Sequence, residues 1–488
     1  MSLSSALYSG ISFILGFTTL GVFTAFSFID TRTWQTTSIV SLQRLRKAQH
    51  DLWTLSQSTS STSLEHKFLC LDSGLQLHYL SSFRREPQKS LVIFLHGFPD
   101  SANLFRHFLV PSEPHGTATQ FVALDLPGFG GSDSLATYSA TGVLNAVTEA
   151  ISELKRRYLE DGASGGRCIL VGHDWGGLIA YRVAAETVGL VWRVVTINTA
   201  YAPLFKSNAG KMTEECQRAL RKLSFRTAWR ESGPWLSQLL KSSYIFMFNL
   251  PMGLLAKWPF IRRVIDHELR WIWLNGHNAN PESPVPSKAS NWVQELAISQ
   301  ASCYGPSVDE CATHDAEGLS YGPSVLARAS CKPPGDWLQR IRLYREGLAS
   351  RQWVFAEKLK QFEAPSRRNS QRFRCAVTVI FGLQDIALDP RIVLDGISGY
   401  FTSSDVLGKT HEMYRTGEVS ISRSTSSHVL SLMHCGHWSL LEDTGTNTLE
   451  GVLAWAVSGT AEQQKDLSVV LGEKGVVLGR DVTLDVLR

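Results

Sequence analysis

The chain has 488 residues, of which 43% are hydrophobic and 19% charged, ordinary proportions for a globular protein that can bury most of its length. Its net charge is +4 and the basic residues are scattered, which argues against a nucleic-acid face. The eight cysteines show neither zinc-ligand spacing nor a CxxC pair, and no Asn-x-Ser/Thr sequon occurs, so reduced thiols and a cytosolic setting are expected.

Residues 1–30 are expected to form a membrane anchor. No charged side chain lies between Ser2 and Ile29. The run from Ile11 to Ile29 is long enough to cross a hydrocarbon core of about 30 Å as a helix. No Lys or Arg precedes it, which weakens a signal-peptide reading. Arg32, Arg44, Arg46 and Lys47 follow it, which places the carboxyl side in the cytosol, with the endoplasmic reticulum a plausible membrane. Residues 31–63 then read as a juxtamembrane linker, helical around Leu42 to Leu55 and Ser/Thr-rich from Ser56 to Ser63.

From residue 64 onward short apolar strands alternate with helical stretches. A hairpin is expected over Lys67–Leu71 and Leu75–Leu80, and strands over Leu91–Leu95, Phe121–Asp125, Cys168–Gly172 and Arg193–Asn198. The spacing predicts an α/β fold with a mostly parallel sheet flanked by helices. The alternation stops after Pro203 and resumes at Ala376–Phe381 and again near His428–His434. The core is therefore assigned to 64–202 and 372–460, with an inserted helical lid over 203–371. Within the lid, 277–335 reads as a disordered insertion; it carries Tyr304-Gly-Pro-Ser-Val308 and a second copy at Tyr321–Val325. Two copies are too few for a solenoid and imply a local duplication or a reading-frame error. The 461–488 tail reads equally as an added strand or a free end.

One segment carries most of the chemistry: Leu170-Val171-Gly172-His173-Asp174-Trp175-Gly176-Gly177. Small residues flank Asp174 on both sides, as a sharp strand-to-helix turn requires, and the turn presents its central residue as a nucleophile. A carboxylate in that place attacks saturated carbon and becomes an alkyl ester, which narrows the substrate to carbon bearing a strained or good leaving group. A serine esterase is nearly excluded.

The segments His96-Gly97-Phe98-Pro99-Asp100, Gly172–Gly177 and Cys435-Gly436-His437-Trp438, in that order, resemble the epoxide hydrolases of the α/β-hydrolase fold over roughly residues 64–457. The resemblance implies that Asp174 is the nucleophile, His437 the general base and Asp385 the orienting acid, with backbone N–H groups of Phe98 and Trp175 as the oxyanion hole. His428 and His434 rival His437, and Asp389 rivals Asp385. It further implies that Tyr244 and Tyr344, in Ser243–Pro251 and Leu343–Gly347, hold the oxirane oxygen from the lid. His96 and His173 are expected to shape loops, and Leu126–Asp133 to be a tight fold turn. No metal or organic cofactor is called for. The expected partners are a small lipophilic epoxide and the membrane, not nucleic acid; the oligomeric state is left open. The expected reaction converts the epoxide to a vicinal diol through a hydroxyalkyl ester on Asp174. The rival readings are a haloalkane-type dehalogenase using the same aspartate, disfavoured because Phe98 offers no side-chain donor to a halide, and a catalytically silent ligand-binding protein.

Overall fold

The computed structural model describes residues 3–30, 32–35, 42–53, 55, 64–82, 87–110, 119–160, 166–277, 292–303, 305, 337–365, 371–402, 426–458 and 465–487. Among them nine strands form one sheet: β1 (Leu64–Cys70), β2 (Gln76–Ser82), β3 (Ser90–Leu95), β4 (Thr119–Leu124), β5 (Arg167–His173), β6 (Arg193–Ile197), β7 (Ala376–Gly382), β8 (Ser427–Leu432) and β9 (Val482–Leu487). Their order is β1-β2-β4-β3-β5-β6-β7-β8-β9. The stretch from β4 to β8 is parallel, while β1–β2, β2–β4 and β8–β9 pair antiparallel. The tail thus contributes β9 along the edge of β8.

Side chains alternate across the sheet because successive Cβ atoms point to opposite faces. Leu91, Ile93 and Leu95 of β3 join one core with Val143, Val147 and Ile151 of the helix Ala140–Tyr158. Val92 and Phe94 join the other, with Leu449, Val452 and Leu453 of the helix Asp443–Val457. Strands buried on both sides must be largely apolar, which is why β3, β5 and β7 read as near-continuous hydrophobic runs.

The register lines up the carboxyl ends of the central strands. Leu95 pairs with Gly172, Gly172 with Thr196, Ile197 with Ile380, and Gly382 with Leu432. The loops that leave these ends therefore converge on one edge of the sheet, where β3 switches the direction of the crossovers and ligands of open α/β sheets bind.

Between β6 and β7 the chain builds helices, chiefly Ala202–Arg221, Phe225–Lys241, Ser243–Phe248 and Pro259–His277. Part of the segment expected to be disordered is ordered: Trp292–Ala301 is a helix whose Leu296, Ala297, Ile298 and Ala301 are buried with Trp273 and Ala48. Apolar burial on two sides offsets the entropy of ordering this helix. Residues 278–291, 304 and 306–335 of that insertion, which hold both Tyr-Gly-Pro-Ser-Val copies apart from Gly305, and residues 56–63 lie outside the described residues.

The amino-terminal segment forms the helix Leu3–Ile29, in which Gly10–Ile29 is long and apolar enough to cross a membrane. It packs against the lid helix Ser243–Phe248: a Cβ at Gly16 would lie 2.6 Å from the Phe246 carbonyl oxygen. Beyond it the chain is tied down by Arg270, which forms ion pairs with Asp30 (2.8 Å) and with Glu295. Trp34 adds an indole N–H donated to the Ser27 carbonyl at 2.8 Å.

Candidate active site

The turn after β5 is built from glycines. A Cβ on Gly172 would come within 2.3 Å of the Gly176 carbonyl oxygen, and one on Gly176 within 2.1 Å of that of Leu95. Only with both side chains absent can the strand reverse into the helix Trp175–Glu186 at this radius. Asp174 sits at the apex with φ 49° and ψ −117°, strained for a residue with a side chain. The strain is held by neighbours: Asp174 N–H donates to the Ile197 carbonyl at 3.2 Å, and Thr199 Oγ donates to the Asp174 carbonyl at 2.7 Å.

Its carboxylate faces the loop after β3. Phe98 N–H donates to Asp174 Oδ2 at 2.9 Å, and the backbone N–H of Trp175 also bonds the carboxylate. Gly97 makes this approach possible, since a Cβ there would fall 2.3 Å from the same oxygen. His96 holds the loop from below. Its Nε2 accepts from Leu126 N–H at 3.0 Å, so Nδ1 carries the proton donated to the Gly97 carbonyl at 2.7 Å.

Asp385 and His437 arrive on the turns after β7 and β8. His437 Nδ1–H donates to Asp385 Oδ2 at 2.8 Å, and its Nε2 points at Asp174 Oδ1, 3.9 Å away. Asp385 is saturated with donors. Oδ1 accepts from the backbone of Ala387 (2.6 Å) and Leu388 (2.9 Å), and Oδ2 from Asn198 Nδ2 (2.8 Å). The rivals stand elsewhere. Asp389 caps the short helix Pro390–Val393 and pairs with Arg391 at 2.7 Å, while the His428 ring packs on Trp455. His173 does not face the substrate side; it is buried, with Nε2 2.9 Å from the His437 carbonyl.

Asn198 is a part of the site that motif reading misses. It stands directly after β6 with φ 44°, a conformation that Asn adopts more readily than most residues. Its amide donates to Asp385, and its carbonyl accepts from Ser439 Oγ at 2.6 Å, so one side chain ties three strand ends together. An asparagine ending a strand of an open sheet was the available signal.

The lid places two phenols over Asp174. Tyr344 packs edge-on against Trp175 (ring centroids 4.7 Å) and Phe98 (5.5 Å), and Tyr244 against Tyr344 (5.8 Å). The hydroxyls of the two interact, and both feel the Asp174 charge.

The electrostatics set the two carboxylates apart. Burial pushes the Asp174 carboxyl up, against the pull of His437 and the two backbone donors, to about 6. Burial also acts on Asp385, but the His437 charge and the Asn198 and Ala387 bonds outweigh it and hold this carboxyl below its ordinary value. Burial would lower His437; the Asp385 carboxylate, with Asp174 behind it, instead raises it to about 9. Burial first pushes both phenols upward; the Asp174 charge adds to it in Tyr244, and the neighbouring Tyr244 and then Asp174 add to it in Tyr344, so both remain protonated donors. Leu126–Asp133 is a fold turn wrapped around the buried Asp125, which accepts from Gly131 N–H (2.9 Å), Ala102 N–H (2.7 Å) and His78 Nδ1 (2.6 Å). Among the described residues no cluster of His, Cys, Asp and Glu is arranged to hold a metal.

The chain is 30% identical over 198 residues to Epoxide hydrolase 3 of Xenopus tropicalis, covering 40% of this chain and 44% of that one. It is 33% identical over 180 residues to Epoxide hydrolase 4 of Mus musculus, covering 37% and 41%. The matched stretches thus span about half the length of these curated relatives, or less. A solved structure described as a novel epoxide hydrolase from metagenomes of hot environments aligns over 81% of this chain and 99% of its own, with TM-score 0.43 and 18% identity. The model of the family described as "Alpha/beta hydrolase family" matches residues 92–446, from β3 past the His437 turn, and the chain belongs to that family.

Proposed function

We propose that this protein hydrolyses a lipophilic epoxide to a vicinal diol through a covalent ester on Asp174. The observation that carries the reading is the pair of protonated phenols, Tyr244 and Tyr344, standing over a carboxylate nucleophile rather than a serine. Opening an oxirane leaves an alkoxide that must be bonded as it forms. Two half-buried phenols beside the attacking carboxylate meet that demand, whereas a departing halide needs no proton from them.

In the first half-reaction an Asp174 oxygen attacks an oxirane carbon. The C–O bond of the ring breaks, its electron pair goes to the ring oxygen, and that oxygen takes hydrogen bonds and then a proton from the phenol pair. In the second, His437 Nε2 takes a proton from water, and the hydroxide attacks the Asp174 carboxyl carbon. The tetrahedral oxygen is held by the Phe98 and Trp175 N–H groups, which already bond the resting carboxylate. Collapse breaks the bond to the alkyl oxygen, which takes the proton held on His437 and leaves as the diol; the proton left on the Asp174 carboxyl returns to the phenolate, restoring Asp174, His437 and the phenol pair. The 3.9 Å gap between His437 Nε2 and Asp174 Oδ1 is longer than a hydrogen bond and suits an intervening water.

The chemistry also sets the base's strength. Part of what raises His437 is the Asp174 charge. Esterification removes that charge, so His437 becomes easier to deprotonate at the step that needs a neutral imidazole. The amino-terminal helix is assigned as a single-pass anchor, with the catalytic domain on the cytosolic side. Single turnover in ¹⁸O-water tests the ester: label should appear in the Asp174 carboxylate of recovered enzyme before it enters the diol, and label entering the diol alone would overturn the reading.

A further inference from the structure

The first two lid helices form a hairpin whose tip projects away from the core. The helix Ala202–Arg221 ends, three residues turn, and Phe225–Lys241 begins. The turn closes through Leu223 N–H to the Leu220 carbonyl (2.9 Å) and Ser224 N–H to the Ala219 carbonyl (2.9 Å), with Leu223 at φ 55°. Glycine is the usual residue in that conformation, and leucine is strained there. This leucine is also 74% exposed, as is Trp229, with Phe225 at 68% beside them. Folding gains nothing from large apolar side chains held in water, and a contiguous exposed set of this kind marks a contact surface.

The charges around the tip identify the partner. Arg218, Arg221, Lys222 and Arg226 are exposed and make no ion pair among the described residues, while Arg230 pairs only with its neighbour Glu231. Aromatic and aliphatic side chains ringed by arginine and lysine fit the headgroup zone of an anionic bilayer, where the apolar groups enter and the long basic side chains reach phosphate. The same chain carries a helix apolar enough to span a membrane, so the tip is tethered near lipid and needs little affinity of its own.

We propose that the hairpin tip, Leu220 to Arg230, is a second membrane-contact surface that lodges in the headgroup region of an anionic lipid bilayer. The inference rests on the anchoring assigned above and is independent of the reaction. The lid is then held to the membrane at two places, through the helix Leu3–Ile29 that packs against it and at this tip. It would sit against the phase into which a lipophilic substrate partitions.

The test uses the full-length chain in phosphatidylcholine vesicles with and without phosphatidylserine, made from plain or brominated acyl chains. Subtracting the emission of Trp229→Phe from that of the parent isolates Trp229. Its emission should be quenched by bromine in the anionic vesicles, less so at high salt, and should lose that quenching in Leu223→Asp, a change the turn accepts because aspartate tolerates positive φ. If bromine quenches the other tryptophans but leaves the Trp229 component untouched, the tip does not enter lipid although the anchor does, and the proposal falls. If nothing is quenched, the anchor reading falls with it. If Trp229 is insensitive to bromine and Leu223→Asp halves the particle mass in detergent, the surface joins two copies of the chain and the lipid assignment is wrong.

Discussion

Removing the lid hydroxyls separates ring opening from every other use of the same fold. Tyr344→Phe keeps the ring that packs at 4.7 Å on Trp175 and 5.5 Å on Phe98, so its change in stability should stay within about 1 kcal/mol. What disappears, in the proposed reaction, is one donor to the developing alkoxide. Loss of a single preorganised donor slows the step by ~10²–10³, or about 2.7–4 kcal/mol. Tyr244 stands 5.8 Å away, ring to ring, and can take over part of the charge, so the lower end, ~10², is expected for either single change. The double change leaves the oxygen bare and should exceed the larger single effect by a further factor of ten or more, roughly ~10³ or beyond in total. Stopped-flow tryptophan fluorescence during single turnover reads the step directly, because Trp175 follows Asp174 in the chain and its ring packs on Tyr344. Alkylation of Asp174 should slow while hydrolysis of the preformed ester stays close to the parent rate. If both single changes and the double alkylate at the parent rate, the phenols do not hold the leaving oxygen, and a haloalkane substrate becomes the better reading.

Three further outcomes follow from the same geometry. Asp385→Asn preserves shape but removes the charge that raises and orients His437; ester hydrolysis should fall by ~10³–10⁴ and intact-mass spectrometry should show alkylated Asp174 accumulating. Alkylation should require the Asp174 carboxylate and so be lost as pH falls through about 6; Asp174→Asn should lower the His437 titration from about 9, read by histidine ring resonances. Gly176→Ala drives a Cβ to 2.1 Å from the Leu95 carbonyl and should lower stability by about 3 kcal/mol or abolish folding, checked by thermal unfolding.

What could be read from the sequence was what local geometry dictates. The β5 turn tolerates only glycine at Gly172 and Gly176, so the pattern around Asp174 announced both turn and apex. The parallel strands announced themselves through apolar runs buried on both faces. Asn198 gives only the faint signal of an asparagine ending a strand, because its part in the site is made by contacts with Asp385 and Ser439, 187 and 241 positions away. The docking of the amino-terminal helix is legible in the spacing of its small and apolar residues. Gly16, Thr19, Leu20, Phe23 and Ser27 recur every three or four residues and form its inner face, while Ile14, Phe17 and Ile29 face outward. Average hydropathy sees one uniform span there and cannot distinguish the two faces.

The arrangement also explains why two aspartates of one site can do different work. A buried carboxylate that must attack carbon needs few partners, since each hydrogen bond to it stabilises the resting anion and makes it a poorer nucleophile. Asp174 has two backbone donors and lies 3.9 Å from the nearest imidazole nitrogen; burial prevails and its carboxyl rises. Asp385, which in the proposed reaction stays ionised throughout, has the opposite surroundings, with three neutral donors besides His437 holding its charge. Environments that push paired acids in opposite directions assign their roles. The assignment is exposed at Asn198: replacing it by alanine removes one donor from Asp385 and none from Asp174. Asn198→Ala should therefore slow ester hydrolysis more than alkylation, and an equal loss in both half-reactions would mean that Asn198 serves only to hold the strand ends together.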